Sequence, residues 1–109
     1  MAEVNVLDPA VIAGLRAAQA DFGNPTFIRD LVHLFQARAP EKLDRVRQAL
    51  DAGDAATVRE VAHSLRSNCG MLGATAMAEA CGRMEDAAAR ADIAASQAAF
   101  AEAESLLPA

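Results

Sequence analysis

In the run AHSLRSNCGMLGA, residues 62–74, a single histidine stands in a stretch of helical spacing, and small residues follow it at one-turn and two-turn intervals. A neutral imidazole is a nucleophile near neutral pH and forms covalent phosphoryl or acyl intermediates. At ~100° per residue, His63 lies about 200° around the helix from Leu65, so it points away from the apolar stripe. Its neighbours at three- and four-residue spacing are Arg59, Glu60, Arg66 and Ser67, and Gly70 continues the line. Glycine inside a helix costs about 1 kcal/mol relative to alanine, so Gly70 asks for a reason in an alanine-rich chain. Either it leaves the imidazole open to an approaching molecule, or it eases the end of the helix. A phosphoryl group on His63 would be screened by Arg66 and Arg59, and Lys42, Arg38 and Arg45 on the preceding helix would extend the basic patch. Taken singly, each cation is an ordinary solvated helix charge. The functional reading rests on several of them converging on one exposed histidine beside small residues.

Other candidates carry less. His33, between Val32 and Leu34, reads as a satisfied structural histidine. Cys69 and Cys81 read as core residues in different layers, which argues against a disulfide between them. His63 and Cys69 are on different helix faces, and nothing converges at the spacing a metal site needs. Met77 and Met84 read as core packing.

The elements that must position these residues are helical. Of 109 residues, 53% are apolar, but many are alanine and there is no Trp or Tyr. Alanine is the strongest helix former, and no alternating run long enough for a strand occurs, so an all-α fold is expected. A net charge of −5 excludes a global attraction for nucleic acid or anionic lipid. The N-terminus lacks the basic and apolar regions of a secretory signal, and no apolar run could span a bilayer. The expectation is a cytoplasmic protein with reduced thiols.

Cap chemistry divides the chain. Asp8-Pro9 opens a short helix over about 9–20, and Asn24-Pro25 opens a longer one over about 25–50. Gly53 and Asp54 then separate it from a third helix over about 54–72, which Gly73 closes. A fourth covers about 75–89, and Asp92 caps a fifth over about 92–107. Pro40 falls inside the second pattern, where it either kinks one helix or divides two. Apolar spacing continues across it at Ile28, Leu31, Phe35, Leu43, Val46 and Leu50, which favours one kinked helix. The third helix carries an inward stripe of Val58, Val61 or Ala62, Leu65, Cys69 and Leu72, and the fourth one of Met77, Cys81, Met84 and Ala88. Short connections make sequential helices antiparallel. The architecture expected is one domain, an up-down-up-down four-helix bundle with the short first helix across one end. Folding the third and fourth helices back about Gly73 puts Leu65 opposite Cys81, Cys69 opposite Met77 and His63 near Met84 and Glu85. Folding the second onto the third puts Lys42 level with His63.

The segment AHSLRSNCGMLGATAMAEACGRMEDAA resembles the signature of histidine-containing phosphotransfer (HPt) domains: His-x-Leu-Lys-Gly, a small-residue stretch, Leu/Val-Gly-Ala, and a downstream Cys-x-x-Leu-Glu. His63, Leu65, Leu72, Gly73, Ala74, Cys81 and Glu85 match, and the upstream FIRDLVHLFQARAPEKLDRVRQALDAGD is similar in its proline-bearing helix and AGD turn. The resemblance spans about Phe27 to Ala88. It implies a bundle whose histidine takes a phosphoryl group from a receiver-domain phospho-aspartate and passes it to a second receiver. It also implies no nucleotide or metal of the domain's own, with Mg²⁺ coming from the receiver, and a Glu85 side chain that hydrogen-bonds the imidazole. The family's lysine is Arg66 here, a planar and bulkier donor. Its glycine is Ser67, which either hinders the receiver or donates a hydrogen bond to the phosphoryl group.

The expectation is therefore a free-standing monomeric phosphocarrier with His63 as acceptor, Arg66 and Glu85 beside it, and Arg59, Ser67, Gly70, Lys42 and Arg38 on the partner surface. Its partners are receivers and a hybrid kinase. The competing class is an HPt-like docking module that carries no phosphate; a dimerising kinase module would need a further helical hairpin.

Overall fold

The computed structural model describes residues 8–107. Five helices make it up: α1 (Pro9–Phe22), α2 (Phe27–Asp51), α3 (Ala55–Leu72), α4 (Thr75–Ala89) and α5 (Ile93–Ser105). No strand occurs among the described residues. Three aspartates open helices by accepting from orphan amides of the first turn: Asp8 from Ala10 at 2.9 Å, Asp54 from Thr57 at 3.1 Å and Asp92 from Ala95 at 3.0 Å. The start of α2 differs from the expected cap at Asn24. The Asn24 carboxamide turns onto the backbone N–H and hydroxyl of Thr26, both at 3.1 Å, so the helix begins after Thr26. α1 runs on to Phe22, because Gly23 adopts the left-handed conformation (φ 66°) that closes it.

α2 is continuous through Pro40, as one of the two readings required. Pro40 is exposed, and so is Gln36, whose carbonyl loses its amide partner. The missing hydrogen bond therefore falls on the solvent side, where water replaces it. The opposite face carries Phe35, Ala39, Leu43, Val46 and Leu50 into the core without a break.

Helix contacts run α2 to α3, α3 to α4, α4 to α5 and α5 back to α2, while α1 meets α2 and α3. The centre of this cycle is the core, where Val46, Val58, Ala62, Leu65, Cys69, Ala80, Cys81 and Met84 have no exposed surface. Polar contacts fasten the rim: Arg47 of α2 pairs with Glu104 and lies over the Phe100 ring at 5.4 Å, and Arg83 of α4 pairs with Glu102 at 2.6 Å. Gly73 ends α3 at φ 75°, and the Asp8 amide donates to its carbonyl at 2.7 Å, which docks the start of α1 on the α3–α4 turn. Among the described residues, no helix is long and apolar enough to cross a membrane.

Candidate functional site

His63 sits in the middle of α3, on the face opposite Leu65, with its side chain 67% exposed. Its Nδ1 lies 2.8 Å from Glu85 Oε2 on α4. The second carboxylate oxygen, Oε1, accepts from the Arg66 guanidinium at 3.3 Å. Burial of Glu85 works to raise its acid, but the hydrogen bonds from His63 and Arg66 and their charges outweigh it. They hold the carboxyl below its usual range, and it is ionised at neutral pH. An ionised carboxylate only accepts, so the proton of a neutral His63 resides on Nδ1. The lone pair is then on Nε2, the nitrogen away from Glu85. The ring is thus held in one tautomer with its free nitrogen on an exposed face.

Arg66 reaches across to α4 over Gly82. A methyl group built at Gly82 would stand 3.6 Å from Cδ and Nε of Arg66, so the arginine stem lies on bare helix backbone. Gly82 was not singled out in the sequence, although a helix-interior glycine in an alanine-rich chain is the same signal that drew attention to Gly70. Arg66, expected to screen the charge of a phosphoryl group on His63, is bonded to Glu85 beside the imidazole.

The other expected residues divide into two groups around α3. Arg59 lines a shallow depression with Ala56, Glu60, His63 and Glu85, beside the imidazole. Ser67 and Gly70 are exposed along the same line, and nothing lies within 4 Å of a methyl group built at Gly70, so packing does not demand glycine there. Lys42 is half-buried, and its ammonium donates to Ser64 Oγ at 2.7 Å and Asn68 Oδ1 at 2.8 Å. It fastens α2 to α3 rather than standing free beside His63; Ser64 and Asn68, its partners, are polar residues that the sequence reading passed over. Arg38 is exposed, 4.0 Å from Glu41. A more enclosed groove of about 410 Å³ runs between α2 and α3, lined by Leu31, Leu34, Phe35 and Met71 with Arg38 and Lys42 on it. Leu34 and Met71 are 54% and 56% exposed there.

Two expectations change. His33 is exposed on α2, so it is a surface residue and not one satisfied in the interior. Cys69, placed opposite Met77 by counting about Gly73, is level with Glu79, and both it and Cys81 are free, fully buried thiols. The contacts His63–Glu85 and Arg66–Gly82 set a fold-back centred one residue later, on Ala74, because α3 ends at Leu72 and α4 begins only at Thr75. That shift moves Cys81 along α4 toward Cys69.

The family model described as Hpt domain matches residues 30–109. Among solved structures, the chain is similar to the crystal structure of histidine-containing phosphotransfer protein B (HptB) from Pseudomonas aeruginosa PAO1, at 29% identity and a TM-score of 0.82 over 92% of this chain and 83% of that one. Among curated proteins no relative matches. With its five-helix fold, an exposed histidine at the motif position and a family model covering most of its length, the chain belongs to the Hpt domain family.

Proposed function

We propose that this chain is a single-domain histidine phosphotransfer protein of a two-component phosphorelay. Its contact cycle reads as an antiparallel up-down-up-down four-helix bundle, α2 to α5, with α1 across one end. His63 Nε2 attacks the phosphorus of a receiver's phospho-aspartate; the N–P bond forms as the aspartyl O–P bond breaks, and the carboxylate leaves. The Nδ1 proton stays on the ring, held by Glu85. A second receiver's aspartate then takes the phosphoryl group in the reverse sense.

The observation that carries this reading is the exposed imidazole with Nδ1 tied to Glu85 at 2.8 Å. Phosphoryl transfer depends mainly on positioning and charge stabilisation, and both are at hand. Arg59 screens the new charge, and Arg66 moves from Glu85 to the phosphoryl oxygens or shares them. The receiver supplies Mg²⁺ and its acidic pocket; the Hpt chain needs no cofactor. It docks on the face of Ser67 and Gly70, with Leu34 and Met71 as apolar contacts and Arg38 and Lys42 at the edge. The protein acts as a cytoplasmic monomer, its apolar stripes used up inside one bundle.

The test is phosphoryl transfer from a radiolabelled phospho-receiver to the wild type and to His63→Gln. Acid-labile, alkali-stable label on the wild type alone is the expected result. Binding without label across a panel of receivers would instead indicate the docking module, with Ser67 as the obstructing side chain. Label that survives on His63→Gln would place the acceptor elsewhere.

A further inference from the structure

Glu85 holds the His63 ring, and what holds Glu85 lies on the other helix. Its neighbours on α4 at three- and four-residue spacing are Cys81, Gly82, Ala88 and Ala89, and none bears a charge. Its two oxygens are taken instead by two residues one turn apart on α3, Oε2 by His63 at 2.8 Å and Oε1 by Arg66 at 3.3 Å. The ring is mostly exposed, so water competes for Nδ1, and the imidazole alone is a weak anchor for a carboxylate on a flexible stem. The arginine anchors Oε1 whichever way the ring is turned. Its arm crosses α4 at Gly82, where a built methyl would stand 3.6 Å from Cδ and Nε and 3.9 Å from Cζ. That is ordinary contact for one carbon, but side-chain atoms beyond it would compete with the arm for the same space. Glu79 and Asp86, both exposed, stand on the same stretch of α4. An arm displaced from Gly82 would have these two carboxylates as competing partners.

We propose that Arg66 and Gly82 are positioning residues for His63, acting through Glu85 before any phosphoryl group is present. Gly82 keeps the crossing open, Arg66 pins Oε1, and the pinned carboxylate keeps Oε2 aimed at Nδ1. The ring then meets an acceptor already in place, and its proton settles on Nδ1 with Nε2 free. Charge alone predicts the reverse. A guanidinium draws on the carboxylate it binds and makes it a poorer acceptor for Nδ1–H, so its removal would favour Nδ1–H further. The sign of the change therefore separates holding from charge sharing. The value of that tautomer for transfer rests on the reading of His63 as the phosphoryl acceptor.

The experiment records nitrogen NMR of the neutral His63 ring in the full chain, with no phosphoryl donor or receiver present. Arg66→Ala should lower the ratio of Nδ1–H to Nε2–H by about twofold to fivefold, the range that an exposed ion pair supports. Gly82→Ile should lower it too, since the branched Cβ leaves few rotamers that avoid the arm, while isoleucine is a better helix former than glycine. Gly82→Ala should lower it less than Gly82→Ile. In the double variant the isoleucine should add nothing, because the arm it displaces is gone. An unchanged or raised ratio in Arg66→Ala would overturn the proposal. So would a wild-type ratio in Gly82→Ile, or an isoleucine effect that persists without Arg66. Arg66 is exposed, so its spectrum decides the matter even where Gly82→Ile folds poorly. The spectra involve no phosphoryl transfer. A chain with the expected ratios that takes no label keeps the positioning and loses the acceptor role, and label on a chain with unchanged ratios does the opposite.

Discussion

Removing the Glu85 carboxylate tests whether the imidazole is held or merely exposed. In Glu85→Ala, Nδ1 loses its 2.8 Å partner and Arg66 loses its contact on α4. Hydrogen bonds to a charged group contribute about 1.5–3 kcal/mol. The His63 ring is 67% exposed, so water competes for Nδ1 and the lower end must be discounted further. A figure of about 1–1.4 kcal/mol remains for the preference for Nδ1–H. That converts to a roughly five- to tenfold fall in the ratio of Nδ1–H to Nε2–H, and the initial rate of phosphoryl uptake falls with the share of Nδ1–H that is lost. Glu85→Gln keeps an oxygen that accepts from Nδ1–H, and should lose less than Glu85→Ala. The assay is the initial rate from a phospho-receiver, paired with nitrogen NMR of the His63 ring, where the alanine variant should show Nε2–H gaining at the expense of Nδ1–H. A Glu85→Ala protein that keeps its rate within about twofold and its wild-type ring tautomer would refute the reasoning.

Three further outcomes are expected. Gly73→Ala should destabilise the fold by at least about 2 kcal/mol in urea unfolding, since the left-handed backbone alone costs roughly 1–2 kcal/mol. The new methyl would also stand 2.9 Å from the Asp8 amide nitrogen and 3.0 Å from Val11 Cβ, which must shift. Gly70→Ala meets open space and should stabilise the protein by up to about 1 kcal/mol; if phosphoryl uptake falls while stability rises, Gly70 is there for access, and an unchanged rate would mark it as a helix-end residue. Glu85 has a folded-state acid below its ordinary value of 4.5, so it stabilises the fold fully above that value and loses the contribution as pH falls through the lower, folded value. Acid titration of the unfolding midpoint should therefore show a smaller drop for Glu85→Gln than for the wild type.

Most helix boundaries were legible because caps are local events. Asp8, Asp54, Asp92 and Gly73 each act within a few residues of themselves, and each does in the structure what its residue type and position suggested. Asn24 is the exception, and its cause is equally local: its side chain found Thr26 before it could cap a helix. The apolar stripes of α3 and α4 were legible too, because ~3.6 residues per turn puts one face inward wherever the chain is helical. Even the nearness of His63 and Glu85 followed from counting along two helices joined by a short turn.

Tertiary structure decided what lies below the resolution of that counting. A fold-back centred on Ala74 instead of Gly73 is a one-residue difference in the turn, yet it sets Cys69 level with Glu79 instead of Met77. Long side chains were settled only by packing. Arg66 takes Glu85 because Gly82 leaves a bare path across α4, and Lys42 takes Ser64 and Asn68 because α2 lies against that side of α3. The sequence by itself determined where the helices lie, which faces of α3 and α4 turn inward and that His63 faces out, since those follow from main-chain geometry and local caps. The partners of that histidine's neighbours depended on how the helices meet, because a flexible charged side chain has several acceptors within reach and only the packed backbone selects among them.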